Sequence, residues 1–207
     1  MKRIIFARHG STDSNARGAL CGAADEKLNI IGYNQAQKLR EILQKAKLYR
    51  AFASPLQRCL KTAEIISEPH SLDICIDDRL KERDFGLWDN LTIEEIRRKY
   101  PADYSKWVNE PYEYKIDGAE SVAEFEKRVS DFGQFLYDTA VNECPGEQCI
   151  LVVSHAGVIR ILISLLLGLG VVNCWRFAVS NGKASVININ DDGYCYLSAL
   201  NTLHIEN

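Results

Sequence analysis

The chain has 207 residues, 46% of them apolar, and sets 25 Lys and Arg against 28 Asp and Glu for a formal net charge of −3. That is enough apolar residue for one sizeable core and a single domain over 1–207. The near-neutral balance leaves no electrostatic footprint for nucleic acid or an anionic membrane, although a local basic pocket for a small anion stays open.

In chain order, Arg3 to Ala7 is a β-like apolar run, and Gly32 to Lys47 carries Ala36, Leu39, Leu43 and Ala46 at helical spacing. Arg50 to Ala53 predicts a short strand. It leads into Ser54-Pro55-Leu56-Gln57, which reads as a helix start with Ser as N-cap and Pro at the first position. Thr92 to Glu95 and Ser121 to Glu124 have the capping-box pattern, and the second opens an amphipathic helix. Cys149 to Val153 is a fully apolar strand before His155-Ala156-Gly157 and an apolar helix from Val158. Ala184 to Ile189 and Tyr194 to Leu200, joined through Asp191-Asp192-Gly193, predict a hairpin. Alternating strands and helices predict a three-layer α/β/α fold with a mainly parallel sheet and one antiparallel edge strand.

Lys2 and Arg3 precede an apolar run too short for a signal peptide, and Val158 to Val172 is too broken for a membrane span. Seven cysteines without a CxxC pair suggest neither a disulfide framework nor a zinc knuckle; they read as small core hydrophobes in a reducing cytosol. The expected location is therefore cytoplasmic, with no membrane partner. The segment 161–175 reads as core or as a dimer face, which leaves the oligomeric state open, a homodimer included.

Three places share one layout: apolar strand, polar residues, helix. They are Ala7 before Arg8-His9-Gly10, Ala53 before Ser54 with Arg58 a turn later, and Val153 before Ser154-His155-Ala156-Gly157. Ligands in open parallel sheets bind outside the carboxyl ends of strands. If these strands are neighbours, Arg8, His9, Arg58 and His155 converge on an oxyanion pocket suited to phosphate. A lone histidine at a strand end is more often structural, but two such ends together weaken that reading. No Asp/His cluster supports a metal site, since Asp13 alone could lend a carboxylate. No metal or cofactor is expected.

The ordered stretches "ARHGSTDSN" (7–15), "LNIIGYNQA" (28–36), "SPLQRCLKTA" (54–63), "LKERDFGLWD" (80–89), "DGAES" (117–121) and "VVSHAG" (152–157) resemble the phosphoglycerate mutase-like histidine phosphatase superfamily. The tail "NTLH" at 201–204 is similar to the end of its smaller phosphatases. The resemblance implies that His9 is a nucleophile forming a phosphohistidine, that Glu82 is the general acid, and that Arg8, Arg58 and His155 hold the phosphoryl oxygens. Asn15, Ser11 and Thr12 would add hydrogen bonds. Without the resemblance, Glu82 reads as a solvated loop carboxylate. Ser11, Cys21, Ala156 and Asp89-Asn90 depart from the common pattern, so no phosphate-binding role is assigned to Cys21.

By the same resemblance the expected substrate is a small phosphomonoester, with α-ribazole phosphatases and broad-specificity phosphatases the most similar branch. Residues 88–121 are expected to form a lid. Within it Trp107, Tyr112 or Tyr114 either stack on an aromatic leaving group or pack on the sheet. A cofactor-dependent phosphoglycerate mutase, usually a longer chain, and an inactive phospho-ligand binding module are the alternatives.

Overall fold

A computed structural model describes residues 1–205, leaving Glu206 and Asn207 of the expected 1–207 domain outside the described residues. The strands are β1 (Lys2–Arg8), β2 (Leu48–Ala53), β3 (Ile74–Ile76), β4 (Cys149–Ser154), β5 (Ala184–Ile189) and β6 (Cys195–Thr202). The helices are α1 (Asp13–Ala16), α2 (Ile30–Leu43), α3 (Gln57–Ser67), α4 (Ile93–Lys99), α5 (Pro101–Asn109), α6 (Val122–Asp138) and α7 (Ala156–Leu166). The sheet runs β3-β2-β4-β1-β5-β6. Its first four strands are parallel, β5 is antiparallel to β1, and β6 is antiparallel to β5. β5 is thus the one strand that runs against the others, and its hairpin with β6 makes the antiparallel edge of the sheet.

Period-two alternation divides the core. Ile4, Phe6, Phe52, Ile150 and Val152 point to one face, where α6 and α7 bring Phe132, Leu136, Val158 and Leu162. Ile5, Ala7, Ala51, Leu151 and Val153 point to the other, against Leu39 and Leu43 of α2 and Ala63 and Ile66 of α3. All six residues of β4 are buried, as a strand covered on both faces requires. Residues 85–119 leave this frame and build a cluster of their own, with Trp88, Ile96, Ile116 and Ala119 buried under Trp107, Tyr104 and Tyr114.

Two helix starts differ from the sequence reading. α2 begins two residues early because the Asn29 side chain accepts from Gly32 N–H and caps it. α3 begins at Gln57 rather than at Pro55, and Ser54 is not its cap. Asp25, from a distant loop, takes that place, accepting from Gln57 N–H at 2.7 Å and Gln57 Nε2 at 2.9 Å. The two capping boxes, Thr92 with Glu95 and Ser121 with Glu124, form as predicted. Cys59, Cys144, Cys149 and Cys174 are buried, but Cys75 is exposed because β3 is a short edge strand.

Candidate active site

The parallel register sets β1, β4 and β2 level at their carboxyl ends, pairing Arg8 with Ser154 and Ala53 with Val153. Past those pairs, His9 N–H bonds to Ser154 O at 3.0 Å and Ser54 N–H to Val153 O at 3.1 Å. His9, Ser54 and His155 therefore leave three adjacent strands at one point. The His9 and His155 rings lie edge to face with centroids 5.1 Å apart.

His9 is 2% exposed, and its Nδ1 sits 2.7 Å from Gly10 O. A carbonyl only accepts, so Nδ1 carries the proton and the Nε2 lone pair is left bare. Burial first, then the Arg8 and Arg58 charges, hold the His9 pKa well below the usual histidine value. The ring is therefore neutral at neutral pH. His155 is depressed for the same reasons, burial first and then Arg58, His9 and Arg8.

Arg8 donates through Nη1 to Val179 O at 2.8 Å, and Arg58 through Nη1 and Nη2 to Ala24 O and Gly22 O, both at 2.6 Å. In each guanidinium the buried Nε–H finds no partner among the described residues. A buried donor left unpaired costs about 1–3 kcal/mol. Two of them beside His9 make a place suited to an oxyanion.

Glu82 Oε2 accepts from Gly157 N–H and Oε1 from Arg83 N–H, each at 3.0 Å. A Cβ on Gly157 would stand 2.5 Å from Glu82 Oε1, so a larger residue there would displace this carboxylate. The loop carrying Glu82 is clasped by Arg128 of α6. Its guanidinium donates to the carbonyls of Arg79, Lys81 and Glu82 while pairing with both oxygens of Glu120, at 2.6 and 2.8 Å. His155 Nε2 lies 2.9 Å from Ser54 Oγ and 3.3 Å from Cys59 Sγ, a thiol whose pKa burial pushes up. The Ser54 hydroxyl therefore faces a histidine, with only a long 3.4 Å bond from Leu56 N–H at the start of α3.

Gly10 turns out to give clearance to another backbone: a Cβ on it would lie 2.2 Å from Gly32 O, and one on Gly32 2.1 Å from Ser11 O. The first turn of α2 presses directly on the strand-end loop. Asn181 Nδ2 ties that loop from the other side, donating to Asn15 Oδ1 at 2.9 Å and His9 O at 3.2 Å.

A cavity of about 560 Å³ opens over these groups. Arg8, His9, Asn15 and Glu82 are on its wall; Arg58 and His155 are buried at 0% and 1% exposure and are not. Ser11 and Thr12 also stay off the wall. Thr12 caps α1 in a box with Asn15, and Ser11 N–H bonds Gln35 Oε1 at 2.8 Å. Trp107 and Tyr112 line the cavity, whereas Tyr114 lines a separate 320 Å³ cleft with Trp88, Tyr100 and Asp103. The wall also holds Arg83, Phe85, Phe125, Glu126, Arg160 and Trp175, to none of which the sequence gave a place in the site. Arg83, Arg160 and Trp175 sit inside charge-dense or apolar runs, and Asn181 in an ordinary Asn-Gly turn. Their sequence signal was a turn or a charge, not a site.

The model of the histidine phosphatase superfamily, branch 1, matches residues 4–202. Phosphoserine phosphatase 1 of Hydrogenobacter thermophilus is 32% identical over 205 residues, 99% of this chain and 95% of that protein. The adenosylcobalamin/α-ribazole phosphatase of Escherichia coli is 31% identical over 200 residues, 97% of this chain and 96% of that protein. The crystal structure of the α-ribazole phosphatase from Shigella flexneri superposes with a TM-score of 0.89 at 30% identity, covering 99% of this chain and all (100%) of that one.

Proposed function

The chain belongs to the histidine phosphatase superfamily and is an enzyme of the phosphoglycerate mutase-like type, and on that footing we propose that it hydrolyses a small phosphomonoester through a phosphohistidine on His9. One observation carries the reading. A neutral imidazole, its Nδ1–H donated to Gly10 O, leaves Nε2 bare at the wall of a cavity beside two arginines with unpartnered Nε–H groups.

In the first step His9 Nε2 attacks phosphorus, the P–O ester bond breaks, and Glu82 gives its proton to the leaving alcohol oxygen. Arg8, Arg58 and His155 hold the phosphoryl oxygens, with Asn15 at the rim. In the second step Glu82 takes a proton from water, the water oxygen attacks phosphorus, and the P–N bond breaks to release inorganic phosphate. Residues 88–121 act as the lid. Ser11 and Thr12 act through the loop that positions His9 rather than on the phosphate. α-Ribazole 5'-phosphate and L-phosphoserine, both suggested by the relatives, head the substrate panel.

Rapid quenching after mixing with a phosphomonoester tests the mechanism. An alkali-stable phosphoenzyme in the parent, absent in His9→Ala, is expected. Neither adduct nor phosphate release across the panel overturns the reading and leaves a binding module. Dominant interconversion of 2- and 3-phosphoglycerate, boosted by 2,3-bisphosphoglycerate, overturns it in favour of a mutase.

A further inference from the structure

We propose that Ser54 is a positioning residue for His155: its hydroxyl donates to His155 Nε2 and so fixes the tautomer that carries its proton on Nδ1. The inference rests on the hydrolase reading above, in which His155 holds a phosphoryl oxygen, and names how a ring without charge does so.

Ser54 and His155 are the residues that follow β2 and β4, and the parallel register of those strands holds them side by side. Ser54 N–H bonds to Val153 O at 3.1 Å, which ties the serine to the end of the strand that carries the histidine. Both side chains are buried, and His155 Nε2 lies 2.9 Å from Ser54 Oγ.

Either atom of that pair can supply the proton, and the surroundings of the hydroxyl decide which one does. Ser54 Oγ already accepts from Leu56 N–H at 3.4 Å. Its own O–H is buried and needs an acceptor. Among the described residues, His155 Nε2 is the only nitrogen or oxygen placed to take it. Were the proton on Nε2 instead, the hydroxyl would be left with the sulfur of Cys59, a weak acceptor. Cys59 leads to the same answer. Its Sγ stands 3.3 Å from the same Nε2, and burial, by pushing its pKa up, keeps it a thiol with a proton to offer. Two donors converge on one nitrogen, which meets them with its lone pair.

The ring proton then sits on Nδ1, which has no partner among the described residues nearer than Cys59 Sγ at 3.9 Å. Burial first, then the charge of Arg58, keeps the ring neutral, so it cannot hold an oxyanion by charge. A fixed Nδ1–H offers a hydrogen bond in place of that charge, whereas a bare Nδ1 would turn a lone pair on the same oxygens. His9 and His155 thus share one tautomer and divide its two ends. His9 offers the bare Nε2, and His155 the Nδ1–H.

The test is nitrogen-15 NMR of the histidine rings in the free enzyme, beside kinetics on p-nitrophenyl phosphate. The chain has four histidines, at 9, 70, 155 and 204, so the spectrum of His155→Gln assigns the ring in question. The parent is expected to show His155 protonated on Nδ1 and bare on Nε2. Ser54→Ala leaves only the weak thiol donor, so a mixture of tautomers is expected, with kcat lowered about tenfold and KM within about twofold. Ser54→Thr keeps the hydroxyl and is expected to restore ring and rate, while Cys59→Ala should leave the tautomer in place. A parent His155 protonated on Nε2 or on both nitrogens overturns the inference and leaves the hydrolase reading standing. So does Ser54→Ala with an unchanged ring spectrum or an unchanged kcat, and so does a tautomer lost in Cys59→Ala, which would make the thiol the positioning group. The expected tautomer with no phosphate release from any ester and no phosphohistidine overturns the hydrolase reading, and with it the use assigned to Nδ1.

Discussion

The floor and the wall of the cavity are built differently. The floor comes from the ends of β1, β2 and β4, where register fixes every position and each polar group but a few has a partner inside the protein. The wall comes mainly from residues 83–126 and 160–175, where rings pack on one another and several stay open to solvent. In the proposed mechanism, chemistry at phosphorus tolerates little displacement, and the groups assigned to it sit on a rigid sheet. Recognition of the leaving group is left to a surface that could be remade without touching that sheet.

This contrast is open to direct attack, beginning with its largest expected effect. His9→Ala removes the proposed nucleophile and should abolish turnover in steady-state phosphate release, whatever the ester. Glu82→Gln should lower kcat about 10²–10⁴-fold, with a smaller loss on esters whose leaving group needs no proton, such as p-nitrophenyl phosphate. Gly32→Ala probes the floor from behind. With its Cβ 2.1 Å from Ser11 O, it should cost about 1–3 kcal/mol in urea unfolding and lower kcat on all esters alike. Asn181→Ala, which frees Asn15 and the His9 carbonyl, should lower kcat about tenfold with KM nearly unchanged. A wall-type response there, confined to some esters, would break the contrast.

The smallest effect is on stability against pH. Burial and neighbouring arginines depress both His9 and His155. Their folded pKa values therefore lie below the unfolded value of about 6.5, and their contribution is complete above it. As pH falls below that value the unfolded chain takes up protons that the folded chain refuses. Stability drops by up to about 1.4 kcal/mol per pH unit per histidine until the folded groups protonate. Urea midpoints between pH 7.5 and 5.5 should therefore fall less in His155→Gln than in the parent.

The floor was largely legible in the sequence because each of its parts is local: an apolar run, then a charged or ring residue, then a helix. Arg8, His9 and His155 follow directly from that layout. Asp25 as the cap of α3, Arg128 as the clasp on the Glu82 loop and Gly32 as the partner of Gly10 were not legible. Each acts on a segment at least 20 residues away, and no spacing rule connects them. The wall was half legible. Trp107 and Tyr112 were singled out and do line the cavity, but Tyr114 faces another cleft and Trp175 lay in a segment that read as core or as a dimer face. An apolar run does not say which of its members the fold leaves uncovered.

Asp25 and Arg58 together have a consequence for how the site opens. The loop holding Asp25 caps α3, and Arg58 on α3 holds the carbonyls of Gly22 and Ala24 in the same loop. Each segment is the other's anchor, so neither can detach alone. The amides of residues 20–26 and of the first turn of α3 should exchange with solvent in a single opening event, at one shared rate. An oxyanion seated on Arg58 should slow that exchange in both segments by the same factor.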